Sequence, residues 1–306
     1  MKYEIDPSYR FLKHIKTPMN PFLLHCVNGF LTVCPKGMMS TKSLKIEKKK
    51  THSSVKGEIL TYHIEPKNSH EKILPCLLFF HGGGFVMKGF YHHYRMARIF
   101  AKDVPCKVIY VDYRLHHQLP FPGCISDCMD AYLAVLEHAE EWHIDKERIA
   151  FGGDSAGGYL SELLLLQTKE KKIDMPCFTL LMYPFLDQRL MTPSQRYYVD
   201  TPLWNGALSD RMCNQILYRH HVLSPSEYED LSFLPPCYID TAEFDSLHDE
   251  AHIFAQRLLQ ANNQVKVYDT KGTIHGFDVM WKSKITKAAM QQRILSLQQA
   301  FYKKEE

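Results

Sequence analysis

The stretch FGGDSAGGYL, residues 151–160, places four glycines around a single serine, Ser155. Residues 153–157 read G-x-S-x-G, and they overlap the end of the apolar segment RIAFGG (148–153), which we predict to be a strand. A helix is predicted from residue 156, and a serine between a strand and a helix in this pattern is typical of a nucleophile elbow. The glycines let neighbouring backbone pass close to the sharp turn that exposes the hydroxyl. On the pentapeptide alone, a glycine-rich turn with a structural or phosphate-binding role remains an alternative.

Apolar runs and helical patterns alternate on both sides of this stretch. The predicted strands are residues 57–65, 73–80, 106–113, 148–153, 178–184, 235–243 and 264–270. The predicted helices lie near residues 91–104, 124–142, 248–261 and 283–303, besides the one that begins at 156. This alternation predicts an α/β fold with a mostly parallel central sheet and helices on both of its faces. Ligands of such sheets bind beyond the carboxyl ends of the strands.

Two segments do not fit the alternation, residues 1 to about 40 and residues about 186 to 230. Both are rich in apolar and aromatic residues, so we expect them to form a helical cap over the carboxyl ends of the strands. The chain has 306 residues, which would permit two domains, but α/β folds of this size are often one. We therefore predict a single domain over residues 1–306.

A glycine loop follows the second predicted strand, in the sequence HGGGF at residues 81–85. Acyl transfer from an ester passes through a tetrahedral oxyanion, which needs backbone N–H donors aimed at it. A loop of glycines lets amides approach without side chains in the way. We predict that the amides of Gly83 and Gly84, together with that of Ala156, form the oxyanion hole.

A histidine suited to the role of general base lies just beyond the predicted strand 264–270. Hydrolases with a nucleophile elbow use a catalytic triad of serine, acid and histidine, which occur in that order along the chain. His275 combines the position at the end of a strand with flanking glycines, Gly272 and Gly276. We predict that His275 takes the hydroxyl proton of Ser155.

The acid of the triad is expected just beyond the predicted strand 235–243. Asp245 has this position and would fix the tautomer of His275 and stabilise its imidazolium form. Asp249 and Glu243 are nearby rivals for the same role. Asp249 is predicted to lie on the following helix, while Glu243 is closer to the strand.

Several motifs in a fixed order now give the chain a family likeness. They are HGGGF (81–85), VDYRL (111–115), FP (121–122), GDSAGG (153–158), DSLHDE (245–250) and IHGF (274–277). The chain resembles the hormone-sensitive-lipase-like branch of the α/β-hydrolases, whose microbial members are carboxylesterases with short acyl preferences. The resemblance implies the α/β-hydrolase fold, an acyl-enzyme intermediate on Ser155, no cofactor, and a homodimer. The sequence departs from the family's pattern after Asp245, where Ser246 and His248 replace a proline and an arginine.

The substrate that these expectations imply is a small ester with an acyl group from acetyl to butyryl, including acetylated carbohydrate or another small metabolite. Its predicted contacts are Phe85, Tyr91, His92, Tyr197, Leu203 and Trp204, with Tyr198 and Asn205 beside them. Plain packing of these aromatic residues between cap and body is an equally open interpretation. The alternative functions are a lipase or peptidase with the same triad and, less favoured, a small-molecule receptor of the same fold.

Composition and charge exclude several other classes of protein. The net charge is only +3, which gives no reason to expect a nucleic-acid partner, and we interpret the basic run at residues 45–50 as a solvated edge strand or loop. Adjacent histidines, such as those at 92–93, 116–117 and 220–221, rarely bind one metal ion together. The sequence has no HExxH motif or cysteine–histidine cluster, so we predict no metal site. It has no GxGxxG or Walker A pattern either, so we predict no nucleotide cofactor.

Cysteine usage and the N-terminal sequence bear on location. The nine cysteines form no CxxC pair, which favours reduced thiols and a cytoplasmic protein. The first ten residues contain two acidic residues and do not read as a secretion signal. Residues 17–35 lack formal charge, but polar residues, proline and glycine interrupt them, so we expect no membrane span there and no stable membrane association.

Overall fold

Eight strands form one sheet in the computed structural model, which describes residues 2–15, 17–18, 20–33, 40–69 and 72–302. The strands are β1 (Leu44–His52), β2 (Glu58–Pro66), β3 (Leu74–Phe80), β4 (Lys107–Asp112), β5 (Ile144–Asp154), β6 (Phe178–Met182), β7 (Cys237–Phe244) and β8 (Val265–Ile274). Their order is β1-β2-β4-β3-β5-β6-β7-β8, in which β2 is antiparallel to both of its neighbours, β1 and β4, and every other pair of neighbours is parallel. The predicted mostly parallel sheet is therefore confirmed, and the basic run at residues 45–50 lies on β1, an edge strand.

Helices flank the sheet and fill the two segments that broke the sequence alternation. The α-helices are α1 (Pro21–Val33), α2 (Tyr91–Asp103), α3 (Gly123–Glu137), α4 (Ala156–Glu170), α5 (Pro193–Tyr197), α6 (Gly206–Met212), α7 (His248–Gln260) and α8 (Lys284–Tyr302). Short 3-10 helices span Pro7–His14, Lys67–Ser69, Pro225–Glu227 and Phe277–Met280, and a π-helical turn spans Cys213–Leu217. No helix in the described part of the chain is long and apolar enough to cross a bilayer.

The sheet is buried on both faces, which is why its central strands read as continuous apolar runs. All seven residues of β3 are buried. Because side chains alternate along a strand, Leu78 and Phe80 join one apolar cluster with residues of α3, α4 and α7. Leu77 and Phe79 point the other way and join a second cluster with residues of α2 and α8.

One predicted helix is too long. The sequence pattern predicts a helix that continues to residue 142, but α3 ends at Glu137. Two other contacts hold the chain beyond that point. The Ile144 N–H donates to the Ala139 carbonyl at 2.7 Å, and the Trp142 ring stacks on that of His138 at 5.0 Å. The apolar pattern extends beyond α3 because Trp142 and Ile144 pack against the body. It does not reflect a continuation of the helix.

Hydrogen bonds join the N-terminal segment to the body and to the second predicted cap segment, residues about 186 to 230. The Asn28 side chain donates to the Val86 carbonyl at 2.8 Å and accepts from the Lys88 N–H at 2.9 Å. The Thr17 hydroxyl donates to the carbonyl of Leu203, which lies in the second cap segment. These contacts support the proposal that residues 1 to about 40 and about 186 to 230 form one cap.

A buried carboxyl group on α4 gives the fold a pH-dependent stability. Glu162 is 2% exposed, and its Oε1 atom has no hydrogen-bond partner among the described residues. Burial raises the pKa of Glu162 from 4.5 to about 8, and a hydrogen bond with Thr179 only partly opposes the shift. The native state therefore keeps a proton that the unfolded state loses. The contribution of Glu162 to stability is complete below its pKa in the unfolded state. This contribution is lost as pH rises through the pKa of Glu162 in the native state.

We expect Glu162→Gln to remove this dependence, because the amide carries no charge to desolvate. Glu162 should lower the wild-type free energy of unfolding by up to ~1.4 kcal/mol per pH unit between about pH 5 and pH 8, and the decline in the variant should be smaller by this amount. Urea unfolding across this pH range measures both slopes. Glu170→Gln, at the exposed end of the same helix, should keep the wild-type slope. Equal slopes in Glu162→Gln and wild type would contradict the assignment.

Candidate active site

The serine singled out by the sequence lies in a strained turn between β5 and α4. Ser155 has φ 52° and ψ −119°, a conformation that non-glycine residues rarely adopt. The surrounding backbone leaves room only for glycine. A Cβ atom on Gly157 would lie 2.0 Å from the Phe80 carbonyl oxygen, and one on Gly153 would lie 2.3 Å from the Gly157 carbonyl carbon. The glycines therefore allow the close contacts that hold the Ser155 hydroxyl clear of the sheet.

A chain of hydrogen bonds links the serine to a histidine and an aspartate. His275 Nε2 lies 2.9 Å from Ser155 Oγ, and His275 Nδ1 lies 2.7 Å from Asp245 Oδ2. A carboxylate only accepts, so Nδ1 carries the proton and Nε2 is free to accept from the hydroxyl. The Leu247 N–H donates to Asp245 Oδ1 at 3.0 Å and holds the carboxylate in place. All three groups are buried, and their arrangement is suited to nucleophilic attack by the serine.

The two rival acids lie in other interactions. Asp249 accepts from the Ser194 N–H at 2.8 Å. Glu243 accepts from the Gly272 N–H at 2.7 Å and lies 3.5 Å from the Lys271 ammonium group. Of the three candidate acids, the structure brings only Asp245 into contact with His275.

The glycine loop after β3 borders the same cavity as the serine. Gly83 and Gly84 have φ of 118° and 59°, so both need the conformational freedom of glycine. Their N–H groups have no acceptor within the described residues. The Ala156 N–H begins α4 and so has no acceptor inside the helix. The three amides are thus available to stabilise a developing oxyanion.

One residue of the site, which the sequence analysis did not single out, ties the glycine loop to the elbow. Asp154 Oδ1 accepts from the Gly82 N–H at 3.0 Å, and its Oδ2 lies 3.0 Å from His93 Nε2. The Phe90 N–H donates to His93 Nδ1 at 2.7 Å, so Nε2 is the protonated nitrogen. Burial alone would raise the pKa of Asp154, but His93 and the Gly82 N–H lower it to about 2. The signal for this role is the position directly before the serine.

We expect Asp154→Asn to lower kcat by about 10–100-fold with a smaller change in KM, since the oxyanion donors act mainly in the transition state. The new amide can still accept from Gly82, but its NH₂ group would face the His93 Nε2–H donor. Steady-state kinetics and the melting temperature measure the effect. Asp130→Asn, at a half-exposed carboxylate bound to Ser54, is the matched control. A wild-type kcat in Asp154→Asn would show that this carboxylate does not position the loop.

A cavity of about 460 Å³ opens onto Ser155 and His275. Its walls are mainly apolar and include Phe11, Leu12, Ile15, Met87, Phe90 and Met280. Three of the predicted substrate contacts, His92, Leu203 and Trp204, also line it. Residues 1 to about 40 were expected in the cap, but none of them was among the predicted substrate contacts. The apolar spacing of Phe11, Leu12 and Ile15 was the available signal for a wall.

The other three predicted substrate contacts do not reach the cavity, which corrects the expectation for them. Phe85 is fully buried and packs against the rings of Phe121 and Tyr159, at 5.6 and 5.7 Å. Tyr91 and Tyr197 are 55% and 61% exposed and lie outside the cavity lining. For Phe85 the packing interpretation is the better one.

One group of side chains at the cavity has the composition of a metal site. The ligand atoms of His92, His93 and Asp154 lie within 4.8 Å of one another. Both nitrogens of His93 and both oxygens of Asp154 are already occupied by the contacts that tie the glycine loop to the elbow. Burial also holds the pKa of His92 well below its usual value. The hydrogen bonds that position the loop account for this arrangement.

Comparison with known proteins gives a consistent result. The family described as alpha/beta hydrolase fold matches residues 77–279. Esterase LipI of Mycobacterium tuberculosis is 33% identical over 211 residues, which cover 66% of this chain and 65% of that protein. Ethyl acetate hydrolase of Pseudomonas putida is 31% identical over 213 residues, covering 66% and 65%. The matched segment thus spans just under two thirds of these relatives.

Solved structures extend the similarity to nearly the whole chain. A bacterial heroin esterase is 28% identical, with a TM-score of 0.88, over 98% of this chain and 99% of its own. Esterase LipW of Mycobacterium marinum is 22% identical with a TM-score of 0.90, over 98% and 97%, and at that identity it supports the fold alone.

Proposed function

Because the chain belongs to the α/β-hydrolase fold family, in its hormone-sensitive-lipase-like branch, we propose that it is a serine carboxylesterase. The observation that carries the proposal is the unbroken series of contacts from Asp245 through His275 to Ser155, at the floor of an apolar cavity. The relatives that are named esterases support the same reaction class.

The reaction proceeds in two half-reactions through an acyl-enzyme. Ser155 Oγ attacks the ester carbonyl carbon while its proton moves to His275 Nε2, and Asp245 stabilises the imidazolium. The amides of Gly83, Gly84 and Ala156 stabilise the oxyanion, which collapses as the alcohol leaves with the proton from His275. Water then attacks the acyl carbonyl by the same route, releasing the carboxylic acid and restoring Ser155.

The cavity walls bear on the substrate class. A carbohydrate needs hydrogen-bond partners for its hydroxyl groups, whereas the walls of this cavity are mainly apolar. We therefore propose an acyl group from acetyl to butyryl on an apolar alcohol, in preference to an acetylated carbohydrate. Besides the triad residues and Asp154, the polar side chains that line the cavity include Thr17, His92, His93 and Tyr183.

A lipase remains the second candidate because of one observation on the cap. Helix α1 contains no charged residue, and Phe22, Leu23 and Phe30 are 73%, 51% and 67% exposed. Another residue of α1, Val27, lines the cavity, and exposed apolar side chains near a cavity are typical of proteins that meet a lipid surface.

Hydrolysis of p-nitrophenyl acetate, butyrate, octanoate and palmitate separates the two candidates. We expect the highest kcat/KM for acetate or butyrate and a loss of at least about tenfold at octanoate, because each added methylene must find space among the cavity walls. The same series with Ser155→Ala corrects for background hydrolysis. Palmitate as the preferred substrate would favour the lipase, and no turnover of any ester would count against a broad carboxylesterase.

We further propose that the enzyme works in a reducing compartment such as the cytoplasm. All eight cysteines within the described residues are free thiols, and six of them are buried. Such usage is typical of proteins that fold without disulfides. The homodimer stays a prediction from the family resemblance.

A further inference from the structure

Two histidines and an aspartate converge on the outer side of the fold, away from the cavity. His248 and His252 are four residues apart on α7, so they lie one above the other on a single helix face. Their ring centroids are 4.6 Å apart. Asp269 projects from the neighbouring strand β8, and the ligand atoms of the three residues lie within 4.8 Å of one another. This spacing differs from that of adjacent histidines, which rarely share an ion.

The hydrogen bonds of His248 leave one nitrogen free for a ligand. His248 Nδ1 lies 2.9 Å from Asp249 Oδ1, so Nδ1 carries the proton and the lone pair is on Nε2. The other oxygen of Asp249 accepts from the Ser194 N–H at 2.8 Å, which fixes the carboxylate. A histidine whose second nitrogen donates to an anchored carboxylate is the usual arrangement of a metal ligand.

The contact between His252 and Asp269 lacks what an ordinary hydrogen bond requires. His252 Nε2 lies 2.9 Å from Asp269 Oδ1, yet it is inaccessible to solvent and has no hydrogen-bond partner of suitable geometry among the described residues. The same Oδ1 accepts from the Thr241 hydroxyl at 2.7 Å, which holds the carboxylate in place. A cation between the two groups would satisfy the nitrogen lone pair and the carboxylate together.

We propose that His248, His252 and Asp269 form a binding site for a transition-metal ion, with Zn²⁺ as its representative. Two imidazoles and one carboxylate are ligands that Zn²⁺ takes in tetrahedral geometry, whereas Mg²⁺ and Ca²⁺ prefer oxygen alone. The three side chains are 26%, 33% and 43% exposed, so the ion enters from solvent and a water molecule completes the coordination.

The bound ion would join α7 to β8. Asp245 directly follows β7 and lies just before α7, while His275 directly follows β8. None of the three ligands lines the catalytic cavity, so the site is separate from the reaction proposed above. Its expected effect is on the stability of this part of the fold.

Zn²⁺ titration of the full chain, freed of metal with a chelator and kept reduced, tests the site by calorimetry. We expect one equivalent to bind wild type, with affinity at least tenfold weaker in His252→Ala and in Asp269→Asn. His138→Ala is the matched control, because His138 is an exposed histidine beside a carboxylate, 3.1 Å from Glu141, without a second histidine. It should bind Zn²⁺ as wild type does.

Thermal unfolding gives an independent measurement. Zn²⁺ should raise the melting temperature of wild type and of His138→Ala but not of the two ligand variants, and Mg²⁺ should raise none of them. Equal Zn²⁺ affinity in wild type, His252→Ala and Asp269→Asn would overturn the proposal. So would a Co²⁺-loaded protein with sulfur-to-cobalt charge-transfer bands that persist in both variants, since the ion would then be bound by thiols.

Discussion

Ser155→Ala is expected to lower kcat/KM for p-nitrophenyl butyrate by about 10⁴–10⁶-fold, the range seen when a triad nucleophile is removed. The loss is this large because the methyl side chain cannot form the acyl-enzyme, while the oxyanion donors keep only a residual effect. The variant should fold normally, since the Ser155 hydroxyl contacts His275 and leaves the turn itself to the backbone. Initial rates with purified protein, corrected for spontaneous hydrolysis, measure the change.

A double variant makes this test sharper. Ser155, His275 and Asp245 act as one unit, so Ser155→Ala combined with His275→Ala should be no slower than the slower single variant. A fluorophosphonate should label wild type at Ser155 and leave Ser155→Ala unlabelled. More than about a hundredth of wild-type kcat/KM in Ser155→Ala would rule out Ser155 as the nucleophile.

Arg293→Met is expected to lower the free energy of unfolding by about 3–5 kcal/mol, because it leaves two buried carboxylates without their cation. Arg293 is fully buried on α8 and binds both oxygens of Asp240, at 2.6 and 3.1 Å, and Asp278 at 2.8 Å. Burial alone would lower the pKa of the guanidinium, but the two carboxylates raise it well above its usual value. Urea unfolding at neutral pH measures the loss.

Arg148→Met is the matched control for this substitution. Its partner Asp145 lies at 2.8 Å, but both side chains are about one third exposed, so the loss should be below about 1 kcal/mol. The buried cluster also reaches the active site, since the Tyr183 hydroxyl donates to Asp278 at 2.8 Å and the Tyr183 ring lies 5.1 Å from that of His275. Equal losses in Arg148→Met and Arg293→Met would mean that the buried ion pairs add no special stability.

The fold and the proposed triad could be predicted because their signals are local. The central strands read as apolar runs, and Ser155, Asp245 and His275 each directly follow a strand of the sheet. Parallel strands place their carboxyl ends at one edge of the sheet, so three residues distant in sequence become neighbours. The order of the motifs along the chain then left few candidate residues for the nucleophile, the acid and the base.

Other parts of the site depend on contacts that no local pattern indicates. Phe85 adopts φ 63° and is fully buried, and a glycine-rich motif does not reveal which way the next side chain turns. The pairing of Asp154 with His93 joins residues 61 positions apart. The aspartate partners of Arg293 likewise come from different elements, and only the folded chain brings such charges together.

The lysines of β1 have a consequence for how the molecule behaves at high concentration. This strand borders the sheet, so one row of its backbone N–H and C=O groups faces away from β2. Unpaired strand edges invite another chain to extend the sheet, and clustered positive charge discourages such polymerisation. Lys48 and Lys50 lie on this border. Replacing them with apolar residues would remove a barrier to aggregation without changing any contact in the catalytic cavity.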